Sequence, residues 1–476
     1  MDRVHPLYVE AIRYLYNRLN YEKSTDKPYN QQNYRLARME ALLTELGNPN
    51  LSAPVIHLAG TKGKGSVSWL IAETLRNAGK RVGLYTSPHL VHLEERFVVD
   101  GVIATPEATV ALIPRIASAA EKIEEEHGQA TFFELTTALA WCHFEEQKTD
   151  VNVIEVGLGG RLDSTNVCQS LLSIITSISF DHQAQLGNTL ESIATEKAGI
   201  IKNGSFVIHG VRSDDARNVI RMHAQKQNCG LWELGKDFEV ERTSNTAGNQ
   251  TSAGNHLPRF DFKPLSEAVG LVGLPNFELK MLGAHQSENA SLAIAACQKL
   301  TQLGWIIPED ALRRALASTQ VSCRIEVVQT SPLTIVDAAH NVASMRSLIR
   351  TLRESFKPQA TTIVFSSSKD KEYQAMLELI MGYASRVILT QYSNNPRFVP
   401  VEKLALEAES LRPKYPSVEV MTSPNAEIAM KYASSKSSDQ DLICYTGSFF
   451  LASEVRPAFR NEASNPQFLS PFARSN

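Results

Sequence analysis

Short apolar runs alternate with helix-period patterns over most of this chain, an order that predicts α/β architecture with mainly parallel sheets. Val55–Ala59 reads as a strand, and Val67, Leu70, Ile71, Leu75 and Ala78 then share one helical face that Gly79 brings to a stop. Further strands are expected at 81–85, 151–156, 171–178 and Phe206–His209. They carry few alternating polar positions, as strands buried on both faces do. From 239 to 262 the text turns polar and rich in Thr, Asn and Gly, which predicts a loop or insertion. A helix is expected at 288–303, and a second strand series begins at Ile325, with strands at 333–337, 362–365, 386–390, 418–422 and 441–446. That restart places the main boundary near Gln320 and gives domains 1–320 and 321–456. Residues 1–19 look like an amphipathic helix, and from 457 to 476 apolar periodicity ends and a poorly ordered tail is expected.

Composition narrows the picture. A chain of 476 residues exceeds one ordinary core, which agrees with two domains. The net charge of −3 gives no electrostatic reason to expect nucleic acid or a membrane surface as a partner. Six cysteines lie scattered without a close pair, so neither a zinc knuckle nor a disulfide framework is suggested, and a reducing compartment is. No run reaches the roughly 18 apolar residues that cross a bilayer. A cytoplasmic monomer is the expectation.

The strongest chemical signal is Gly60-Thr61-Lys62-Gly63-Lys64-Gly65-Ser66, set between a predicted strand and a predicted helix. Glycines let the backbone curl its N–H groups toward phosphate oxygens, the helix start adds partial positive charge, and Lys64 can neutralise the outer phosphates. Ser66 offers a hydroxyl to Mg²⁺. The loop is two residues shorter than GxxxxGK[ST] and has a glycine between its last lysine and its serine, so it is a variant of the phosphate loop. Glu155 ends the next apolar strand ahead of Gly157-Leu158-Gly159-Gly160, where a carboxylate can meet Mg²⁺ or simply be solvated. His182 ends another strand, as a metal ligand or a hydrogen-bonded histidine. Lys197, in Glu196-Lys197-Ala198-Gly199, would ordinarily be a solvated or salt-bridged lysine. Ser87-Pro88-His89 could bring Ser87 or His89 near the phosphates or be a proline-stiffened loop. Asp337 and His340 stand before Asn341, where they bind a ligand or cap a helix.

Read together, HLAGTKGKGSV, GLYTSPHL, TFFELTTALA, VIEVGLGGRLDSTN, TSISFDH, TEKAGIIK, GAHQSENASLAIAAC, IVDAAHN and TGSFFLASEVR resemble the folylpolyglutamate synthase and dihydrofolate synthase family of the Mur-type ligases, in that family's order over nearly the whole chain. The resemblance implies an N-terminal P-loop domain that binds nucleotide, a smaller Rossmann-like C-terminal α/β domain, and an active site in the cleft between them. It implies ATP and Mg²⁺, as two ions, with dihydropteroate or a reduced folate and L-glutamate as partners. The acceptor carboxylate would attack the γ-phosphate, and the glutamate amine would displace phosphate from the acyl-phosphate. Carried over residue by residue, Lys64 grips phosphate, Ser66, Ser87, Glu155 and His182 serve metal, and Lys197 is carbamylated into a metal-site anion. Asn289, Arg324 and Asp337 touch nucleotide, and His340 lies in the segment that closes on ATP and the incoming amino acid. The sequence departs from the family at Ser322-Cys323-Arg324, where Pro-Gly-Arg is usual, at the loose match Ser366-Ser367-Ser368-Lys369-Asp370-Lys371, and in a longer polar stretch at 245–255. Two other readings remain: a Mur ligase acting on a cell-wall precursor, which would need a further N-terminal domain, and a catalytically silent nucleotide-binding regulator, against which the intact Lys64, Glu155, His182 and Lys197 count.

Overall fold

The computed structural model describes residues 6–20, 35–243, 257–265, 270–393 and 395–459. Its first sheet is built from β1 (Val55–Ala59), β2 (Val82–Tyr85), β3 (Phe97–Val99), β4 (Val102–Ile103), β5 (Val151–Glu155), β6 (Ser170–Ile175), β7 (Phe206–His209) and β8 (Gly230–Glu233), in the order β4-β3-β2-β5-β1-β6-β7-β8. From β2 to β8 the pairing is parallel, and β3 and β4 add an antiparallel edge. Every residue of β1 and β5 is buried, which is why these strands read as mostly apolar runs without a regular polar alternation. The register sets Leu58 beside Glu155 and Ala59 beside Ile175, so the glycine loop, Glu155 and the segment after β6 leave the sheet at one edge.

The helix Lys64–Asn77 follows β1 directly and buries Val67, Leu70, Ile71 and Leu75 completely. Each such side chain contributes about 1.5–3 kcal/mol of burial. Ala78 is the C-cap, and Gly79, at φ 82°, turns the chain out with its N–H on the Arg76 carbonyl. The helix Ala284–Gln302 packs against it and begins earlier than the apolar period at 288–303 implies. On the other face, the almost wholly buried helix Phe132–Glu146 joins Pro6–Tyr16 and Pro106–His127.

The stretch expected to be a loop is a correction. β9 (Phe238–Thr243), β10 (Arg259–Pro264) and β11 (Leu274–Glu278) form a three-stranded antiparallel sheet. It buries Phe238, Phe260, Phe262 and Phe277 and turns Glu241, Arg242 and Lys263 outward. The polar stretch from 244 to 256 lies outside the described residues.

The second main sheet contains β12 (Glu326–Thr330), β13 (Leu333–Val336), β14 (Thr361–Phe365), β15 (Arg386–Leu389), β16 (Glu419–Thr422) and β17 (Leu442–Thr446), in the order β12-β13-β17-β14-β15-β16. β12 is antiparallel and the rest are parallel, with separate apolar cores on the two faces. Of the tail expected at 457–476, residues 457–459 complete the 3₁₀ turn Arg456–Phe459, with Phe459 against Tyr445, and residues from 460 on lie outside the described set. No helix among the described residues is long and apolar enough to cross a membrane.

Candidate active site

The glycine loop owes its shape to two close approaches. At Gly60 (φ 152°) a Cβ would come within 2.0 Å of Thr176 Oγ1, and at Gly63 (φ 90°) within 2.4 Å of Asn289 Oδ1. The loop is tied to the chain leaving β6: Thr61 N–H donates to Ser177 O at 2.8 Å, Lys62 N–H to Ser177 Oγ at 3.0 Å, and Thr176 Oγ1 to Lys62 O at 2.6 Å. These bonds explain why β6 ends at Ile175, short of the expected 178. Lys64 opens the helix, its Nζ donating to Gly60 O at 3.3 Å and lying 3.7 Å from Glu155 Oε1. The N–H groups of that first turn have no carbonyl of their own helix to meet, so they face whatever anion enters. Ser66 is buried within the same turn.

Glu155 is buried at the end of β5 and accepts the N–H of Ser87. Burial pushes its carboxyl pKa up, while Lys64 and Arg324 pull it back. A carboxylate backed by the nearby Ser66 and Ser87 hydroxyls is an oxygen-only donor set, which suits Mg²⁺ with phosphate and water completing its shell. The expectation that Lys197 is solvated does not hold. It is buried, donates to Gly60 O at 3.0 Å, and burial reinforced by the Lys64 charge brings its pKa down to about 7. It opens, with Gly60, Lys64 and His182, on a small space of about 30 Å³ beside the main cleft. His182, at φ 51°, starts the short helix Gln183–Leu186 and leaves 46% of its side chain facing the cleft. Enclosure by the cleft walls, with Lys371, Lys62 and Lys197, lowers its pKa against the pull of Asp181. Among the described residues no three His, Cys, Asp or Glu side chains gather into a metal cage.

The second half meets this edge through Asp181. Its carboxylate accepts Lys62 Nζ at 2.9 Å, Lys371 Nζ at 3.3 Å and Asn341 Nδ2 at 3.4 Å. Burial alone would raise its pKa, but Lys62, His182 and Lys371 together hold it well below the usual carboxylate range. Lys62 Nζ also donates to His340 Nε2 at 2.9 Å, which leaves His340 Nδ1–H to donate to Ala338 O at 2.9 Å. The Lys62 charge and burial hold this imidazole neutral. The helix Val342–Ser355 starts at Asn341 as expected, but its cap is Asn341 itself, through Ser344 N–H at 2.9 Å, and not Asp337 or His340. Asp337 accepts Ile325 N–H at 2.9 Å and Ala339 N–H at 2.8 Å, so both its oxygens shape the backbone at the cavity wall. Arg324 stands between Cys323 (φ 55°) and Ile325 (φ 47°), two left-handed residues in a turn held by the carboxylates of Glu326 and Asp337. Cys323 takes the left-handed angle where the resembling family has its glycine, and Ile325, expected to begin a strand, is part of the turn.

A cavity of about 790 Å³ joins these groups. Thr61 to Ser66, Ser87, Glu155, His182, Asn289, Arg324, Asp337 and His340 all line it, while Gly60 and Lys197 line the adjoining space. His89 lines it too, but its ring is engaged by Tyr16 and Arg96. Sequence reasoning missed Asp181, which sits inside a quoted motif next to His182. It also missed Phe133 and Arg35 at one end of the cavity and Lys371 and Arg397 at the other.

Two family models match the chain: the Mur ligase middle domain over residues 58–297 and the Mur ligase, glutamate ligase domain over 323–449. The dihydrofolate synthase/folylpolyglutamate synthase of Bacillus subtilis is 33% identical over 88% of this chain and 94% of its own length. The chain belongs to the folylpolyglutamate synthase and dihydrofolate synthase family of Mur ligases. The folylpolyglutamate synthase of Lacticaseibacillus casei is 30% identical over 94% of this chain and 98% of its own. Among solved structures, a Mycobacterium tuberculosis folylpolyglutamate synthase complexed with ADP matches at TM-score 0.83 and 28% identity, covering 95% of this chain and 98% of that one. An E. coli FolC in complex with DHPP and ADP matches at TM-score 0.80 and 27% identity, covering 97% and 99%. As a Mur ligase of this family, the enzyme is an ATP-dependent, amide-forming ligase, and residues 61–66 of the glycine loop line its main cavity.

Proposed function

We propose that this ligase adds L-glutamate to dihydropteroate, to reduced folylglutamates, or to both. The carrying observation is one cavity in which a phosphate loop and cations from both halves meet between an aromatic end and a cationic end. ATP phosphates fit against the helix start with Lys64, where Asn289 and Arg324 can reach the nucleotide. Phe133 and Arg35 offer a ring face and a guanidinium to a flat, polar acceptor such as a pterin. Lys371 and Arg397 suit the two carboxylates of an incoming glutamate. The acceptor carboxylate attacks the γ-phosphoryl group, the bond to ADP breaks, and the glutamate amine then displaces phosphate from the acyl-phosphate. Lys64 neutralises charge on the transferring group, and His340, neutral and hydrogen-bonded to Lys62, keeps that lysine poised over the cleft.

Ser66, Ser87 and Glu155 would hold one Mg²⁺, and His182 with a carbamylated Lys197 would help hold a second, supplying charge neutralisation at the phosphates. The amine of Lys197, brought down to about 7, is substantially unprotonated at neutral pH, as addition to CO₂ requires, and the small space beside it leaves room for the adduct. We place the division of the chain near residue 320, supported by the separation of its strands into sheets before 279 and after 325. We also read the protein as a cytoplasmic monomer. Purified protein given ATP, Mg²⁺, glutamate and either acceptor should release ADP and phosphate and yield a product heavier by one glutamyl residue. No product from either acceptor would refute the proposal.

A further inference from the structure

Behind the Phe133 end of the cavity runs a row of four buried side chains that the chemistry above does not use. Cys168, His57, Thr165 and Asp163 are all no more than 3% exposed. Cys168 Sγ lies 3.7 Å from His57 Nδ1, His57 Nε2 lies 2.9 Å from Thr165 Oγ1, and Thr165 Oγ1 lies 2.5 Å from Asp163 Oδ1.

Valence gives the row one polarity. Asp163 is the carboxylate acceptor for the N–H groups of Thr165 at 3.0 Å and Leu158 at 2.8 Å, and of Gly157 as well. The Thr165 hydroxyl hydrogen is therefore donated to Asp163. Its oxygen then accepts His57 Nε2–H, and His57 Nδ1 is left to accept the thiol hydrogen of Cys168. Burial keeps the ring uncharged, which this arrangement needs, since a doubly protonated imidazole would have no acceptor for Cys168.

At the other end of the row, the Asp163 carboxylate fixes the backbone of Gly157 and Leu158. Gly157 is packed on the Phe133 ring so closely that a Cβ there would lie 2.4 Å from Phe133 Cζ. A shift of this turn is thus a shift of Phe133. We propose that His57 and Thr165 are positioning residues for the acceptor pocket: their one-way hydrogen-bond chain orients Asp163, and through the Gly157–Leu158 backbone Asp163 sets the Phe133 wall. This rests on the reading that the Phe133 end takes the acceptor.

The test measures KM for acceptor and for ATP separately in the full-length enzyme, with thermal melting as the check on folding. Thr165→Val removes the hydroxyl at nearly constant volume and should raise the acceptor KM about ten-fold while ATP KM stays within about two-fold. Thr165→Ser, which restores the hydroxyl, should return the acceptor KM to near wild type. An unchanged acceptor KM in Thr165→Val, an equal rise in both KM values, or failure of Thr165→Ser to restore would overturn the proposal. If Thr165→Val does not fold, the comparison moves to His57. His57→Gln keeps a donor at the reach of Nε2 and His57→Asn does not, so equal acceptor KM values in that pair would also overturn it. Phe133→Ala separates the two failures. If it raises the acceptor KM and Thr165→Val does not, the relay is wrong. If it leaves the acceptor KM unchanged, the placement of the acceptor is wrong.

Discussion

At Lys64 and Lys197, two lysines a few ångströms from the same carbonyl of Gly60 have different environments and should fail differently. Lys64 lines the open cavity, where, on the proposed function, it meets phosphate. Lys64→Ala should lower the rate of ADP release by at least about 10²-fold with the fold intact, and wild-type turnover would remove the loop from the chemistry. Lys197 is buried, and its value of about 7 lies far below that of an ordinary lysine. Its free-base fraction therefore grows as pH rises through 7 and shrinks below it. Only the free base adds CO₂, so enzyme stripped of CO₂ near pH 6 should lose activity and recover it with bicarbonate at pH 8. Lys197→Ala should be inactive under both conditions. Activity indifferent to bicarbonate would end the carbamate assignment.

The helices and loops that carry the site show which parts of it were legible in the sequence. β1 and β5 were readable because burial on both faces leaves mostly apolar text, broken only by His57 and Asn152 before Glu155. β9 and β10 were not, because their Phe residues alternate with Glu, Asp, Arg and Lys, and charge masked the period of two. The strand–loop–helix order pointed to a phosphate loop, whereas Asp181 and Lys371, 190 positions apart in sequence, mean something only once the fold brings them together. Gly63 shows how an element encodes a contact: its positive φ and the 2.4 Å approach to Asn289 both reject a side chain. Gly63→Ala should raise the ATP KM about ten-fold and leave the acceptor KM alone, the reverse of the Thr165 prediction. The Phe132–Glu146 helix start is tied down differently. Glu134 closes a capping box with Thr131 and receives Arg38 Nε at 2.9 Å, both charges being buried. Arg38→Ala strands that carboxylate and should cost about 3 kcal/mol in urea unfolding; a loss below about 1 kcal/mol would mean that water replaces the guanidinium.

Over the whole molecule, the two sheets are joined at the cleft by an anion whose neighbours are largely cations. Asp181 comes from the first half, Lys62 from its phosphate loop, and Lys371 from the second half, with all three side chains at most about one-third exposed. Asp181 is the carboxylate that both lysines bond, so it offsets their repulsion across the cleft. Asp181→Ala should leave Lys62 and Lys371 facing each other with that charge removed. At an effective dielectric of about 20, two such charges a few ångströms apart repel by a few kcal/mol, enough to bias the opening of two packed units. Unliganded Asp181→Ala should then scatter as a more extended particle than wild type. ATP with Mg²⁺ should draw it back, because the triphosphate brings negative charge to the loop that carries Lys62 and so relieves its repulsion of Lys371. Raising the ionic strength should shrink the difference between unliganded variant and wild type, since part of the cluster is open to solvent. Lys371→Met removes a cation rather than the anion and should remain compact without ATP. Identical scattering from unliganded Asp181→Ala and wild type at low salt would show that packing, and not this carboxylate, keeps the halves together.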